Sequence, residues 1–149
     1  MDRLTEDLEA IAALLPRLIG AQHRRLAQEL SDYGLTLPQF TALSALERSE
    51  EGRRMGPLAT AALQSAASMT GIVNRLLERG LVERERHPKD RRAVVVRLTE
   101  EGRNLLAQVK EGRRQAGRAL LTALPPEDRR HFRRVLTRLV ELMETNANH

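Results

Sequence analysis

Between Ser65 and Leu98 the chain sets one helical apolar pattern directly ahead of two short β-branched runs that flank a charged turn, and few small folds accept that order. Met69, Ile72, Val73, Leu76 and Leu77 recur at i, i+3, i+4, i+7 and i+8, the spacing of a buried helix face, with Ser65 placed as N-cap and Gly80 as the stop. Leu81 to Arg86 and Ala93 to Leu98 suit strands, the second through Val94, Val95 and Val96. Between them His87-Pro88-Lys89-Asp90-Arg91-Arg92 is rich in turn formers and charge, so the pair reads as a β-hairpin with a basic tip. A helix followed at once by such a hairpin suits DNA, because the helix fits a major groove and the tip can reach the neighbouring minor groove.

The flanks are helical. Leu4, Leu8, Ile11, Leu15, Leu18, Ile19, Leu26 and Leu30 fit one long helix ending before Tyr33-Gly34. Thr36-Leu37-Pro38-Gln39 has the form of a capping box and opens a helix carrying Phe40, Leu43 and Leu46. Glu50, Glu51 and Gly52 read as a loop, and Pro57 is predicted to open a short helix through Leu63. Thr99 is predicted to cap a second long helix through Leu105, Leu106, Val109, Leu120 and Leu121. Pro125-Pro126 separates it from a last helix with Phe132, Val135, Leu136, Leu139, Val140 and Met143, and Thr145 to His149 are expected to fray. The fold class is mainly α with a small β-hairpin wing. Residues 1–149 are expected to form one domain, with a winged helix over 36–98 flanked by helices over 1–34 and 99–145.

Composition narrows the chemistry. A chain of 149 residues buries a core without disulfides or structural metal. Lys and Arg total 25 against 20 Asp and Glu, a net charge of +5, and the base is local. From Arg84 to Arg97 there are Arg84, Arg86, Lys89, Arg91, Arg92 and Arg97 against Glu85 and Asp90, whereas the first twenty residues carry more acid than base. That is the charge distribution of a phosphate-facing edge. The absence of cysteine removes disulfides, thiolate zinc sites and thiol-based oxidation sensing. The four histidines, His23, His87, His131 and His149, are too dispersed for a metal site, no cofactor is implied, and no nucleophile stands beside a base as an enzyme requires. The apolar run Ile11 to Ala21 is interrupted by Pro16 and Arg17 and too short to span a bilayer, so no membrane partner and a cytoplasmic location are expected.

The runs Arg75-Leu76-Leu77-Glu78-Arg79-Gly80-Leu81-Val82, then Asp90-Arg91-Arg92, then Leu98-Thr99-Glu100-Glu101-Gly102 resemble the MarR (multiple antibiotic resistance regulator) family over nearly the whole chain. The resemblance implies a transcriptional regulator whose recognition helix spans residues 66 to 79, with double-stranded DNA and a second copy of itself as partners. Ser65, Ala67, Ser68, Thr70, Asn74 and Arg75 would then face DNA, Ser65, Ser68 and Thr70 as its N-terminal readers. Arg75, Arg84 and Arg86 suit phosphates. In the wing, Lys89, Asp90, Arg91 and Arg92 form the tip, with Arg92 entering a minor groove and Asp90 orienting the wing through a nearby Arg. The resemblance further implies release by a small phenolic or other lipophilic effector, for which His23, Tyr33, Phe40 and Met55 are candidate ligand residues. Each of these also fits a plain structural role.

Two features depart from the family pattern. Ala66 and Ala67 lack hydrogen-bonding side chains, and Gly71 sits inside the recognition helix, where glycine costs about 1 kcal/mol against alanine. Gly71 is expected to allow close backbone approach to DNA or a neighbouring helix, or to be tolerated variation. The apolar stripes of the flanking helices exceed what a small winged helix can cover and predict a homodimer. The expected function is a repressor on a pseudo-palindromic operator; non-specific DNA architecture and a protein-binding winged helix are the alternatives. The basic run Arg129, Arg130, Arg133, Arg134 is read as solvated surface.

Overall fold

In the computed structural model, which describes residues 2–147, the elements run α1 (Arg3–Ser31), α2 (Leu37–Glu47), α3 (Met55–Ala61), α4 (Ala66–Glu78), β1 (Val82–Arg86), β2 (Val94–Leu98), α5 (Glu100–Thr122) and α6 (Pro126–Ala147). The expected fold class is what the chain adopts. Asp2 caps α1 by accepting from the Thr5 amide and then the Thr5 hydroxyl, and these bonds hold its carboxyl below the usual carboxylate range. The helix continues through Pro16, whose missing N–H leaves the Ala12 carbonyl without its intrahelical partner. The capping box of α2 forms in full: Thr36 Oγ1 accepts from Gln39 N at 3.3 Å, and Gln39 Oε1 accepts from Thr36 N at 3.1 Å.

Several boundaries shift for local reasons. The third helix starts at Met55, two residues before Pro57, because Arg54 takes the extended N-cap conformation and proline within the first turn withholds an amide that needs no partner. It stops at Ala61 rather than Leu63. Leu63 lies in the left-handed region at φ 56°, its amide bonds to Thr60 O, and Gln64 N bonds to Ala59 O, which closes the helix. The same closure ends α4: Gly80 N bonds to Leu77 O and Leu81 N to Leu76 O, so Leu81 belongs to the helix cap and β1 begins at Val82. Ala93 is likewise held outside β2, its amide bonding to Asp90 O at the hairpin tip. At the C-terminus α6 continues through Thr145, Asn146 and Ala147, which were expected to fray, while Asn148 and His149 lie outside the described residues.

The two strands pair antiparallel in the register Val82↔Leu98 to Arg86↔Val94. A further rung comes from just beyond the Glu50–Gly52 loop, at a residue that the sequence patterns assign to no element: Arg53 N donates to Val96 O and Val96 N to Arg53 O, at 2.9 and 2.8 Å. Leu43, Leu46, Leu58, Met69, Val73, Leu76, Val96 and Leu106 form the core of the winged helix, with Leu30 of α1 buried among them. Glu47 and Lys110 pair across its edge.

The described chain divides into two compact units, one up to Lys110 and one from Glu111. Burial explains the division: the last buried residue of α5 is Val109, and no residue of α6 is buried. On α1, Leu4, Leu8, Ile11, Leu15 and Leu18 are each at least half exposed, as are Val135, Leu139, Val140 and Met143 on α6. Among the described residues no helix is long and apolar enough to cross a membrane.

Candidate nucleic-acid interface

Capping and burial orient α4. Met69, Val73 and Leu76 turn into the core, which leaves Ser65, Ala66, Ala67, Ser68, Thr70, Gly71, Asn74 and Arg75 exposed along the opposite face. Ser65 Oγ accepts from Ser68 N at 3.1 Å, so Ser65 does act as the N-cap, and its hydroxyl donates to Ser68 Oγ at 3.0 Å. Thr70 Oγ1 donates back to Ala66 O at 3.2 Å. Of the three hydroxyls, only that of Ser68 keeps its proton uncommitted. Gly71 borders an open groove with Thr36, Pro38, Gln39, Ser68 and Arg75, and a Cβ added there would meet nothing within 4 Å. The expectation of close approach to a neighbouring helix therefore does not hold within this chain.

The wing sorts its charges by face. In β1 alternate side chains point to opposite sides: Glu83 and Glu85 are both held by Arg97, at 3.7 and 3.3 Å, while Arg84 and Arg86 project into solvent on the other side. Arg84 Nη2 donates to Asn74 Oδ1 at 3.0 Å and so ties the strand to α4. At the tip, Asp90 Oδ2 pairs with Arg54 at 3.1 Å, and Oδ1 accepts from Arg92 N at 3.1 Å. His87 Nδ1 accepts from the amides of Lys89 and Asp90 at 3.1 and 3.2 Å, and Glu51 lies 3.4 Å from Lys89 Nζ. Both acids of the basic stretch are thus neutralised. Arg75, Arg86, Arg91 and Arg92 are exposed and carry no side-chain hydrogen bond or ion pair among the described residues.

Four residues in this assembly escape the sequence patterns. Arg53 supplies the extra rung and its Nε donates to Ala45 O at 2.9 Å. Arg54 anchors Asp90, Glu51 reaches the hairpin tip, and Arg79 donates to the carbonyls of Gly34 and Tyr33 at 2.8 and 3.0 Å, fixing the end of α4 on the α1–α2 turn. None carries a local signal, because every partner lies at least eight residues away along the chain. The candidate effector residues fall in different surroundings: Phe40 is a core residue, Tyr33 and Met55 pack against the core, and His23 is exposed on α1.

A solvent-facing helix, a basic hairpin bound to its flank and a wing tip stripped of net acid define a winged helix-turn-helix protein of the DNA-binding class. A sequence model of the MarR family matches residues 33–93. The HTH-type transcriptional repressor Rv2887 of Mycobacterium tuberculosis is 30% identical over 126 residues, which cover 85% of this chain and 90% of that protein. A MarR family protein from Bacillus stearothermophilus is 28% identical with a TM-score of 0.81, over 97% of this chain and 99% of that one. A mutant of S. aureus MepR bound to an oligodeoxyribonucleotide shares the fold, with a TM-score of 0.66 at 19% identity over 89% and 97% of the two chains. The chain belongs to the MarR family and is a transcription regulator rather than an enzyme.

Proposed function

We propose that the protein is a homodimeric repressor that places two copies of α4 in successive major grooves of a pseudo-palindromic operator and occludes a promoter. The observation that carries this reading is the exposed set of Arg75, Arg86, Arg91 and Arg92, left without acidic partners around a capped helix while the wing carboxylates Glu83, Glu85 and Asp90 pair with Arg97 or Arg54 and Glu51 pairs with Lys89. Unpaired guanidinium groups in that position await phosphates and a narrow minor groove. In this reading Ser65, Ala67, Ser68 and Thr70 meet the major groove, Arg75, Arg84 and Arg86 its phosphates, and Lys89, Arg91 and Arg92 the minor groove. Asp90 supports the tip from within.

The exposed apolar faces of α1 and α6 support the dimer, since a symmetric partner would bury both. Repression is proposed by kinship with the mycobacterial repressor. Release by a small phenolic or lipophilic effector is part of the proposal; a ligand favouring a DNA-incompetent arrangement a hundredfold supplies about 2.8 kcal/mol, enough to empty an operator. A second reading, non-specific DNA architecture, has an observation of its own: Ala66 and Ala67 offer no hydrogen bonds and the Thr70 proton is committed, so direct base readout is sparse.

Selection of bound duplexes from a random pool separates the two. An inverted repeat, bound more weakly by Arg92→Ala and at higher salt, is expected. Recovery of fragments without a shared sequence would replace the repressor by the architectural reading, and no retained DNA would end both.

A further inference from the structure

We infer that Asn74 is a positioning residue, holding Arg84 against the DNA backbone, and not a reader of base edges. This rests on the proposed DNA-binding reading and assigns Asn74 a role different from the one its place on the recognition helix suggests. Three observations carry it. Arg84 Nη2 lies 3.0 Å from Asn74 Oδ1, and because a guanidinium has only donors, the carboxamide must turn its oxygen toward Arg84. An asparagine that reads adenine uses oxygen and nitrogen together, so engagement of the oxygen by Arg84 opposes that bidentate geometry. Asn74 also stands in the C-terminal half of α4 (Ala66–Glu78), whereas recognition helices contact bases mainly through their N-terminal residues.

The pair has a further consequence. Arg84 and Arg86 share the outward face of β1, but only Arg84 is tethered; with one N–H spent on Asn74, its other donors remain exposed on the side of the strand nearest α4. A long flexible cation is thereby held in one place before DNA arrives, which lowers the side-chain entropy lost on binding. Helix and wing are joined by a side-chain bond spanning ten residues of sequence, so a displacement of either carries the other.

The test uses the full-length protein and a duplex selected from a random pool by the wild type. Asn74→Ala, Arg84→Gln and the double variant are titrated with this duplex over a salt series and with a panel of its single-base substitutions; thermal melting checks that each is folded. Each single variant is expected to bind about tenfold more weakly, Arg84→Gln through a lost hydrogen bond from a charged group and Asn74→Ala through the cost of ordering the freed Arg84 side chain. Arg84→Gln is expected to lower the salt slope by about one counterion per subunit, whereas Asn74→Ala, which keeps the Arg84 charge, should leave the slope near the wild-type value. The double variant should bind little more weakly than either single one, with the order of preference among bases unchanged. If Asn74→Ala instead relaxes discrimination at one base pair, Asn74 reads a base and the inference is wrong. Additive losses would also overturn it. If the wild type selects no sequence, the reading beneath it fails first, and visibly so.

Discussion

Two residues around the recognition helix are held in conformations that another side chain would suit better. Leu63 occupies the left-handed C-cap position after α3 at φ 56° and is 88% exposed, so its side chain gives almost no burial in return for the backbone strain. Leu63→Gly is expected to raise the stability to denaturant by roughly 0.5 to 1 kcal/mol, the left-handed penalty less the extra chain entropy of glycine. A loss of stability would mean that Leu63 makes contacts this geometry does not contain. Gly71 is the opposite case, a helical glycine whose missing Cβ would meet only open space. Gly71→Ala should stabilise the free protein by up to about 1 kcal/mol. It should weaken operator binding too, because the methyl would stand on the exposed face between Ser68 and Arg75. A stabilised variant with unchanged affinity would place the DNA backbone elsewhere.

Among the elements, those announced by local chemistry were legible and those made by distant partners were not. The capping box at Thr36 and the N-cap at Ser65 act within a few residues and stand where the residue types place them, and the two strands of the hairpin each begin one residue later than their composition suggests. The rung between Arg53 and Val96 and the anchor from Arg54 to Asp90 join segments far apart in sequence, so the loop at Glu50 to Gly52 gave no hint of supporting a wing. Asn74 shows the same limit at the site: its placement on the outer face was legible, but its bond to Arg84 depends on how the strand returns beside the helix. One seat between elements is especially unforgiving. A Cβ at Gly102 would overlap Leu81 O, at the point where Thr99 bonds to the carbonyls of Gly80 and Leu81. Gly102→Ala is expected to destabilise the fold by about 2 kcal/mol, in the range of core overpacking. A melting temperature equal to the wild type would show that α5 can shift along the wing without cost.

For the molecule as a whole, the apolar faces of α1 and α6 set the expected state in solution. Sedimentation should give twice the chain mass, and Leu15→Arg together with Leu139→Arg should give monomers, since a charge placed on each apolar helix face would have to be buried at a symmetric interface. Such monomers should keep the winged-helix core, none of whose buried residues lies beyond Val109, yet lose most of their operator affinity. A wild type that sediments as a monomer would remove the two-half-site reading. The central claim, that α4 and the wing together grip DNA, is tested most directly by a hydroxyl-radical footprint on the selected duplex, with wild type and with Arg91→Ala plus Arg92→Ala. Two protected patches about one helical turn apart are predicted, each flanked by minor-groove protection that disappears in the wing variant while the central protection persists. Minor-groove protection that survives loss of both arginines, or a footprint without two-fold repetition, would contradict it.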